Sequence, residues 1–388
     1  MDFAFTDAQR EIREQVLRLC GRFDDAYWLE RDRTGSFPDA FFAAIAEGSW
    51  LGIAMPEDHG GAGLGITEAA IMMQAVAESG AAMSGASAIH MNIFGLNPVV
   101  VFGTPDQKSR MLPPLIAGRD KACFGVTEPN AGLNTTEIAT RAERRGDRYV
   151  VNGTKMWTST AQKATKILLL ARTTPLDQVK RRTDGMTLFY TTLDRTHAEV
   201  RLIHKMGRHA VDSNMVFFDD MEIPAEDRIG EEGEGFRVLL HGLNPERILI
   251  AAEAIGIGRV ALARAARYAR ERVVFGRPIG QNQSIQHPLA ESWAELEAAN
   301  LMMMKAAWLY DTGQECGAAA NAAKYLAAEA GFRACELAVM THGGVGYAQE
   351  YHVERYLREV LITRLTPISP QLILCYLAER ILGLPKSY

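Results

Sequence analysis

The sequence predicts an α+β protein of several packed units in the order helical, β, helical, and three observations carry that expectation. The chain has 388 residues, more than the roughly 250–300 at which one hydrophobic core stops growing. Hydrophobic residues make up 47% of it, ample for real interiors. Its texture also changes twice: helical periodicity over residues 1–120, short β-rich runs over 121–230, and alanine-rich helical periodicity over 231–388.

In the first unit Thr6 followed by Gln9 forms a capping box. Ile12, Val16, Leu19 and Phe23 then recur at helical spacing, so an amphipathic helix is expected from about residue 7. Thr104, Pro105 and Gln107 repeat the start signal, and HGGAGLG at 59–65 is expected to be a loop. In the second unit the strand runs are Tyr149–Val151, Ile167–Ala171, Met186–Leu193 and Val216–Ile223. Asn152-Gly153 and Asp184-Gly185 are expected turns between such runs. In the third, Ala261–Arg272, Ala290–Tyr310 and Ala318–Met340 are strong helical segments.

Composition excludes several classes. A net charge of -5 and a charged fraction of 23% supply no overall basic field for nucleic acid or an anionic membrane. Five cysteines, Cys20, Cys123, Cys316, Cys335 and Cys375, include no close pair, as expected of reduced thiols in the cytoplasm. The nine histidines are scattered without a helical pair and third ligand, so no metal site is expected. The N-terminal MDFAFTDAQREIREQ has acid early and no apolar h-region. No window approaches ~20 uninterrupted apolar residues, and Lys386-Ser387-Tyr388 is not a peroxisomal address. A cytoplasmic protein is expected.

Gly256-x-Gly258-x-x-Ala261 matches the loose dinucleotide fingerprint but follows no strand, so the phosphate-cradling turn has no place to form. Those glycines are expected to allow close helix packing. No Walker loop and no Gly-x-Ser-x-Gly elbow occurs. The informative segments are Cys123-Phe-Gly-Val-Thr-Glu-Pro-Asn-Ala-Gly-Leu-Asn134 and, across an expected hairpin, Asn152-Gly-Thr-Lys-Met-Trp-Thr-Ser159. A Thr-Glu-Pro turn offers backbone N–H groups and a hydroxyl, and Trp157 beside Ser159 offers a flat apolar face next to a small donor. These are the parts an isoalloxazine ring needs, although on those features alone the favoured account is Trp157 as a core aromatic of the β unit and Thr127 as a turn cap.

These two segments resemble the acyl-CoA dehydrogenase family. The resemblance runs on through Lys205-Met-Gly207, Val216-Phe-Phe-Asp219, Ile223-Pro224, Gly233-Glu-Gly-Phe236, Glu246-Arg247, Glu271-Arg-x-x-Phe-Gly276, Gln283 and His342-Gly-Gly-Val-Gly-Tyr347. It covers essentially the whole chain in order. It implies an N-terminal helical domain (1–120), a middle β-barrel domain (121–230) and a C-terminal four-helix bundle (231–388) that carries oligomer contacts. It implies FAD as cofactor, with Phe124, Val126, Thr127 and Gly132 at the flavin edge, Trp157 stacking on the ring and Ser159 near N5. From a neighbouring subunit, Arg272, Phe275 and Gln283 resemble an adenine and diphosphate clamp, with Gly343 and Gly344 beside them. Ser369 and Gln371 join the cofactor set on the same ground. A homo-oligomer, a dimer of dimers, follows from the shared site.

Many members place a catalytic glutamate in a Tyr-Glu-Gly-Thr stretch near the C-terminus, whereas Leu365-Thr-Pro-Ile-Ser-Pro-Gln371 puts Pro367 there. Leu243-Asn-Pro-Glu246-Arg247 instead has the Leu-x-x-Glu-Arg form of isovaleryl-CoA and long-chain acyl-CoA dehydrogenases. The resemblance therefore implies Glu246 as base, with Arg247 holding the local geometry and burial raising the basicity of the carboxylate. Leu133, Asn244 and Arg247 are the expected substrate contacts. Leu133, Asn134 and Met340 depart from the residues usual at those positions. Pro367 lacks the N–H that in relatives helps to bind the thioester oxygen, which is worth ~3 kcal/mol. The implied reaction is FAD-dependent dehydrogenation of acyl-CoA to trans-2-enoyl-CoA, with electrons passed to an electron-transferring flavoprotein. A flavin monooxygenase or oxidase on the same fold, and a catalytically silent acyl-thioester binder, are the alternatives.

Overall fold

A computed structural model describes residues 4–387. Residues 1–3 and 388, which enter the expectations for the two termini, lie outside the described residues. The first unit comprises α1 (Asp7–Cys20), α2 (Asp25–Thr34), α3 (Asp39–Glu47), α4 (Ile66–Val76), α5 (Ala82–Phe94), α6 (Asn97–Phe102) and α7 (Pro105–Ile116). Thr6 and Thr104 each complete the expected capping box, accepting from the N–H of Gln9 and Gln107. The start of α4 is capped from outside: Asp311 accepts the N–H groups of Ile66 and Thr67 at 2.8 and 2.9 Å, satisfying donors the helix itself leaves free.

Between α4 and α5 the helix runs through a π turn at Ala77–Ala81, with Gly80 at φ 100° and Ala82 at φ 52°. The freed N–H of Ser84 is taken by Glu359 at 2.9 Å, and the Ser84 hydroxyl donates to the same carboxylate at 2.6 Å. Arg355 holds Glu359 at 3.3 Å and donates to the Gly80 carbonyl at 2.6 Å. This break fixes the direction of α5. The stretch Ile66–Phe102 is, by length and average composition, apolar enough to cross a membrane, although Glu68, Gln74, Glu78 and Ser84 interrupt it, so no uninterrupted apolar run of ~20 occurs in it. Its most apolar window is 72% buried inside the protein, so that apolar surface already has a partner.

The second unit contains β1 (Ala122–Gly125), β2 (Arg141–Arg145), β3 (Arg148–Ser159), β4 (Lys166–Arg172), β5 (Met186–Thr192), β6 (Ala198–Leu202), β7 (Ser213–Pro224) and β8 (Arg228–Ile229). The strand order is β6-β7-β3-β2-β4-β5-β8, and β1 pairs in parallel with β4. The hydrogen-bonded path ends at β6 and β8, so the pairing among the described residues does not close the barrel that the resemblance implied. Asn152-Gly153 is not a turn. It lies inside β3, where a register shift against β7 spans Val151 and Gly153 and Gly153 has φ 150°. The physical reason is the longer strand: the chain reverses instead at Gly146, φ 65°, between β2 and β3, and the extra residue is absorbed as a bulge.

The third unit contains α8 (Gly235–His241), α9 (Leu243–Glu271), the hairpin strands β9 (Val273–Val274) and β10 (Arg277–Pro278), α10 (Gln283–Asp311), α11 (Gly317–His342), α12 (Val353–Leu365) and α13 (Pro370–Arg380). Gly256 and Gly258 lie within α9, where a Cβ would meet Gln74 O at 2.4 Å and a Leu296 methyl at 2.7 Å. Close packing is therefore their role. The first and third units share one core: Trp28, Phe41 and Met73 pack in the same cluster as Ile248, Leu296 and Ala327.

Candidate active site

β1 delivers Phe124 and leads into the Thr127-Glu128-Pro129 turn. That turn is fastened to β3 from both sides. Met156 N–H donates to Thr127 O at 2.8 Å, and the wholly buried Lys155 donates to Val126 O at 3.0 Å and to Glu128 at 2.7 Å. Glu128 also accepts from Ala139 N and Thr140 N at 2.6 and 3.0 Å. Burial pulls the Lys155 ammonium down to about 8 despite the Glu128 carboxylate beside it. Glu128 is itself pushed up by burial, but Lys155 and the Ala139 N–H more than offset this and hold it below the usual range.

The sequence places Trp157 two residues beyond this lysine, and a second register shift, between Lys155 and Thr158, turns it out of the sheet at φ 61°. Its side chain is 51% exposed, so it is a presented face and not a core aromatic. Val126 is buried, Phe124, Thr127 and Ser159 are half-buried, and Gly132 and Leu133 are exposed. Ser159 accepts from Arg208 at 2.9 Å, and the same guanidinium reaches Ser213 at 3.0 Å and Ser87 at 3.2 Å. Burial lowers the pKa of Arg208, while Glu359, Asp212 and Glu253 act on it through space in the opposite sense.

Glu246 sits in the first turn of α9. Its expected companion was Arg247, but Arg247 Nη1 donates to Asn244 at 2.9 Å, and the group that holds Glu246 is His90 of α5, Nε2 to Oε2 at 2.9 Å. The other imidazole nitrogen, Nδ1, meets Glu253 Oε1 at 2.7 Å. Glu246 and Glu253 lie seven residues apart on α9 and so on one face, which is why one imidazole can bridge them. The expectation that burial raises the basicity of Glu246 is corrected: burial pushes it up, but the His90 imidazolium and the Arg247 guanidinium more than offset that and leave it below the usual carboxylate range. His90 itself is held well above its ordinary value by the two carboxylates, against its burial.

Arg272 and Gln283 are exposed at the end of α9 and the start of α10. Between them the β9–β10 hairpin turns at Phe275 and Gly276, φ 53° and 78°, the positive pair a two-residue type I′ turn requires. Phe275 is fully exposed. Gly343 and Gly344 are exposed too, and a Cβ on either, or on Gly132, would meet nothing within 4 Å. Ser369 caps α13 by accepting from Leu372 N at 3.4 Å, and Gln371 is exposed beside it. The Pro367 loop is anchored by buried Lys324, which donates to Ile368 O at 2.7 Å. A surface hollow of about 780 Å³ lined by Asp39, Phe42, His59 and Lys121 contains none of these residues.

Three family models match in succession: acyl-CoA dehydrogenase N-terminal domain over residues 6–119, middle domain over 123–221 and C-terminal domain over 233–366. The chain belongs to the acyl-CoA dehydrogenase family. Acyl-CoA dehydrogenase FadE12 of Mycobacterium tuberculosis is 36% identical over 398 aligned positions, covering 100% of this chain and 99% of the relative. Benzylmalonyl-CoA dehydrogenase of Aromatoleum aromaticum is 36% identical, covering 94% and 95%. The structure of butyryl-CoA dehydrogenase from Megasphaera elsdenii superposes with a TM-score of 0.93 at 29% identity, covering 98% and 100%. This acyl-CoA dehydrogenase family member is an FAD-dependent oxidoreductase.

Four residues of this neighbourhood escaped the sequence reading: His90, Glu253, Arg208 and Lys155. His90 had one usable signal, a lone ring nitrogen pair in the apolar run Ala81–Phe94. Glu253 had another, an acid among the alanines and isoleucines of α9 at helical spacing from Glu246.

Proposed function

We propose that this enzyme dehydrogenates an acyl-CoA thioester to the trans-2-enoyl-CoA with Glu246 as the base, within units that divide at about residues 120 and 230. The observation that carries this reading is the carboxylate of Glu246: it is half-buried, held ionised by His90, and keeps one oxygen free of that contact. Bound FAD supplies acceptance of a hydride. Glu246 takes the Cα proton, the electron pair of that C–H bond becomes the Cα=Cβ double bond, and the hydride leaves Cβ. The thioester thus loses two hydrogens, and the proton rests on Glu246.

The exposed indole of Trp157 suits ring stacking, and the Thr127 turn with Ser159 suits polar contact at the ring edge. Arg272, Phe275, Gln283, Gly343 and Gly344 face outward from their own subunit, which supports completion of the site by a second copy and so a homo-oligomer, a dimer of dimers. Leu133, Asn244 and Arg247 belong to the substrate side, and Ser369 and Gln371 to the cofactor side. An electron-transferring flavoprotein as acceptor and a cytoplasmic location complete the proposal. An oxidase is the second reading, favoured by one likeness: prolyl acyl carrier protein oxidase AnaB superposes with a TM-score of 0.90 at 27% identity.

The test is anaerobic stopped-flow reduction of the holoenzyme by a panel of acyl-CoAs. Glu246→Gln is nearly isosteric and should keep flavin and the spectral shift on ligand binding, yet reduce flavin at least ~10²-fold more slowly. Reduction at the wild-type rate would falsify the assignment of the base. Rapid reoxidation by oxygen in the presence of product would favour the oxidase.

A further inference from the structure

Glu246 and Glu253 approach the two nitrogens of one imidazole at 2.9 and 2.7 Å. A neutral imidazole donates at one nitrogen and accepts at the other, so between two ionised carboxylates it would turn a lone pair toward an anionic oxygen. Only the imidazolium donates at both. Glu253 is completely buried, and its second oxygen has no hydrogen-bond partner among the described residues. A carboxylate in that position requires a neighbouring cation. His90, 7% exposed, is the group in contact with it.

Resting on the reading of Glu246 as base, we propose that His90 is a positioning residue kept as an imidazolium by Glu253, and that its charge both aims the Glu246 carboxylate and sets the pH above which that carboxylate is ionised. The three groups carry a net charge of -1 before proton abstraction and 0 after it. The proton transferred from Cα stays on Glu246, so the His90–Glu253 pair remains a neutral ion pair throughout. The other charged groups facing the triad are Arg247, which acts on Glu246, and Arg208, on which Glu253 acts. Both stay cationic over the working pH range, so a change in the acid limb reports the triad.

The arrangement also depends on the break before α5. Glu359 and Arg355 fix the N-terminal end of α5, and His90 lies two turns further along, where the helix crosses α9. A generic polar contact would survive replacement of the imidazole by an amide. The proposed role would not.

The experiment measures flavin reduction by acyl-CoA against pH in holoenzymes carrying His90→Gln, Glu253→Gln, both, or Glu246→Gln. Removing a cation in contact with a carboxylate raises the pKa of the carboxylate by about one to three units. The acid limb of His90→Gln should move up by that amount while acyl-CoA binding, read from the flavin spectrum, changes little. Glu253→Gln should move it the same way by less, and the double variant should match His90→Gln alone. Histidine-selective ¹⁵N NMR of the wild-type holoenzyme, assigned by the missing signal in His90→Gln, should show one ring protonated at both nitrogens at pH 8.

An acid limb in His90→Gln that superimposes on the wild type overturns the proposal, as does a His90 ring that titrates near 6.5. If His90→Gln fails to fold, Glu253→Gln and the wild-type NMR decide. An inactive Glu246→Gln with an unmoved limb in His90→Gln defeats this inference alone, whereas an active Glu246→Gln defeats the assignment of the base itself.

Discussion

At the scale of single residues, a strong constraint on the proposed flavin side is the buried pair Lys155–Glu128. Lys155 is 0% exposed and ties Glu128 and the Val126 carbonyl to β3. Removing one member of such a pair strands the other charge in the interior. Lys155→Met is therefore expected to lower stability by about 3 kcal/mol and to weaken FAD retention, because the turn bearing Thr127 loses its anchor. Lys155→Met with Glu128→Gln should recover part of the loss, since the second change removes the stranded carboxylate. Denaturant titration and FAD content of the purified variants measure both effects. Equal stability of Lys155→Met and wild type would show that the pair contributes nothing.

At the scale of elements, two local devices present the proposed flavin site. One is the bulge in β3, which aims Trp157 outward at φ 61°. The other is the β9–β10 hairpin, whose turn at Phe275-Gly276 carries a fully exposed aromatic ring beyond the end of α9. Gly276 at φ 78° has open space around a would-be Cβ, so only backbone strain opposes a side chain there, and a β-branched one is opposed most. Gly276→Val should distort the hairpin at a cost of about 1–3 kcal/mol. The core packing of α9–α11 should be left alone. FAD affinity should fall by roughly tenfold or more, while light scattering shows an assembly of two or more subunits in both proteins. Unchanged FAD affinity would mean that Phe275 and Arg272 complete no flavin site.

At the scale of the whole molecule, Asp32 joins all three units. It lies on α2, accepts from Arg358 of α12 at 2.6 Å and meets His209 of the middle unit at 3.1 Å. Arg358 also donates to the Met206 carbonyl at 3.2 Å. Burial raises the pKa of Asp32, but the His209 hydrogen bond and the Arg358 guanidinium more than offset it and hold the carboxyl well below the usual range. A depressed carboxylate contributes stability that is present above its unfolded value near 4 and is lost as pH falls through the folded value. Asp32→Asn should thus cost about 3 kcal/mol at neutral pH. The thermal midpoints of the two proteins should converge on acidification below about pH 4. Parallel curves at every pH would remove Asp32 from the set of ionic ties between units.

Much of this protein was legible in order along the chain. Capping boxes at Thr6 and Thr104, the alanine-rich periodicity of α9 to α11 and the strand runs of the middle unit depend on local chemistry, and local chemistry is what a sequence displays directly. The ordered motifs likewise carried the family and the cofactor. What the sequence alone could not decide depends on pairs far apart in the chain. The hairpin expected at Asn152-Gly153 became a bulge because pairing with β7 continues past it, from Val151 with Met221 to Gly153 with Phe218, far along the chain. The companion of Glu246 turned out to be His90, 156 residues distant, and not the adjacent Arg247. A neighbour in sequence on a helix points elsewhere around the axis, whereas α5, bent by its π turn and held by Glu359, brings an imidazole to the face that Glu246 and Glu253 share. Which residues exist and what each can do chemically were set by the sequence. Which charge meets which, and so how basic the proposed base is, was decided by how the helices cross, because electrostatic coupling depends on distance in space and not on separation along the chain.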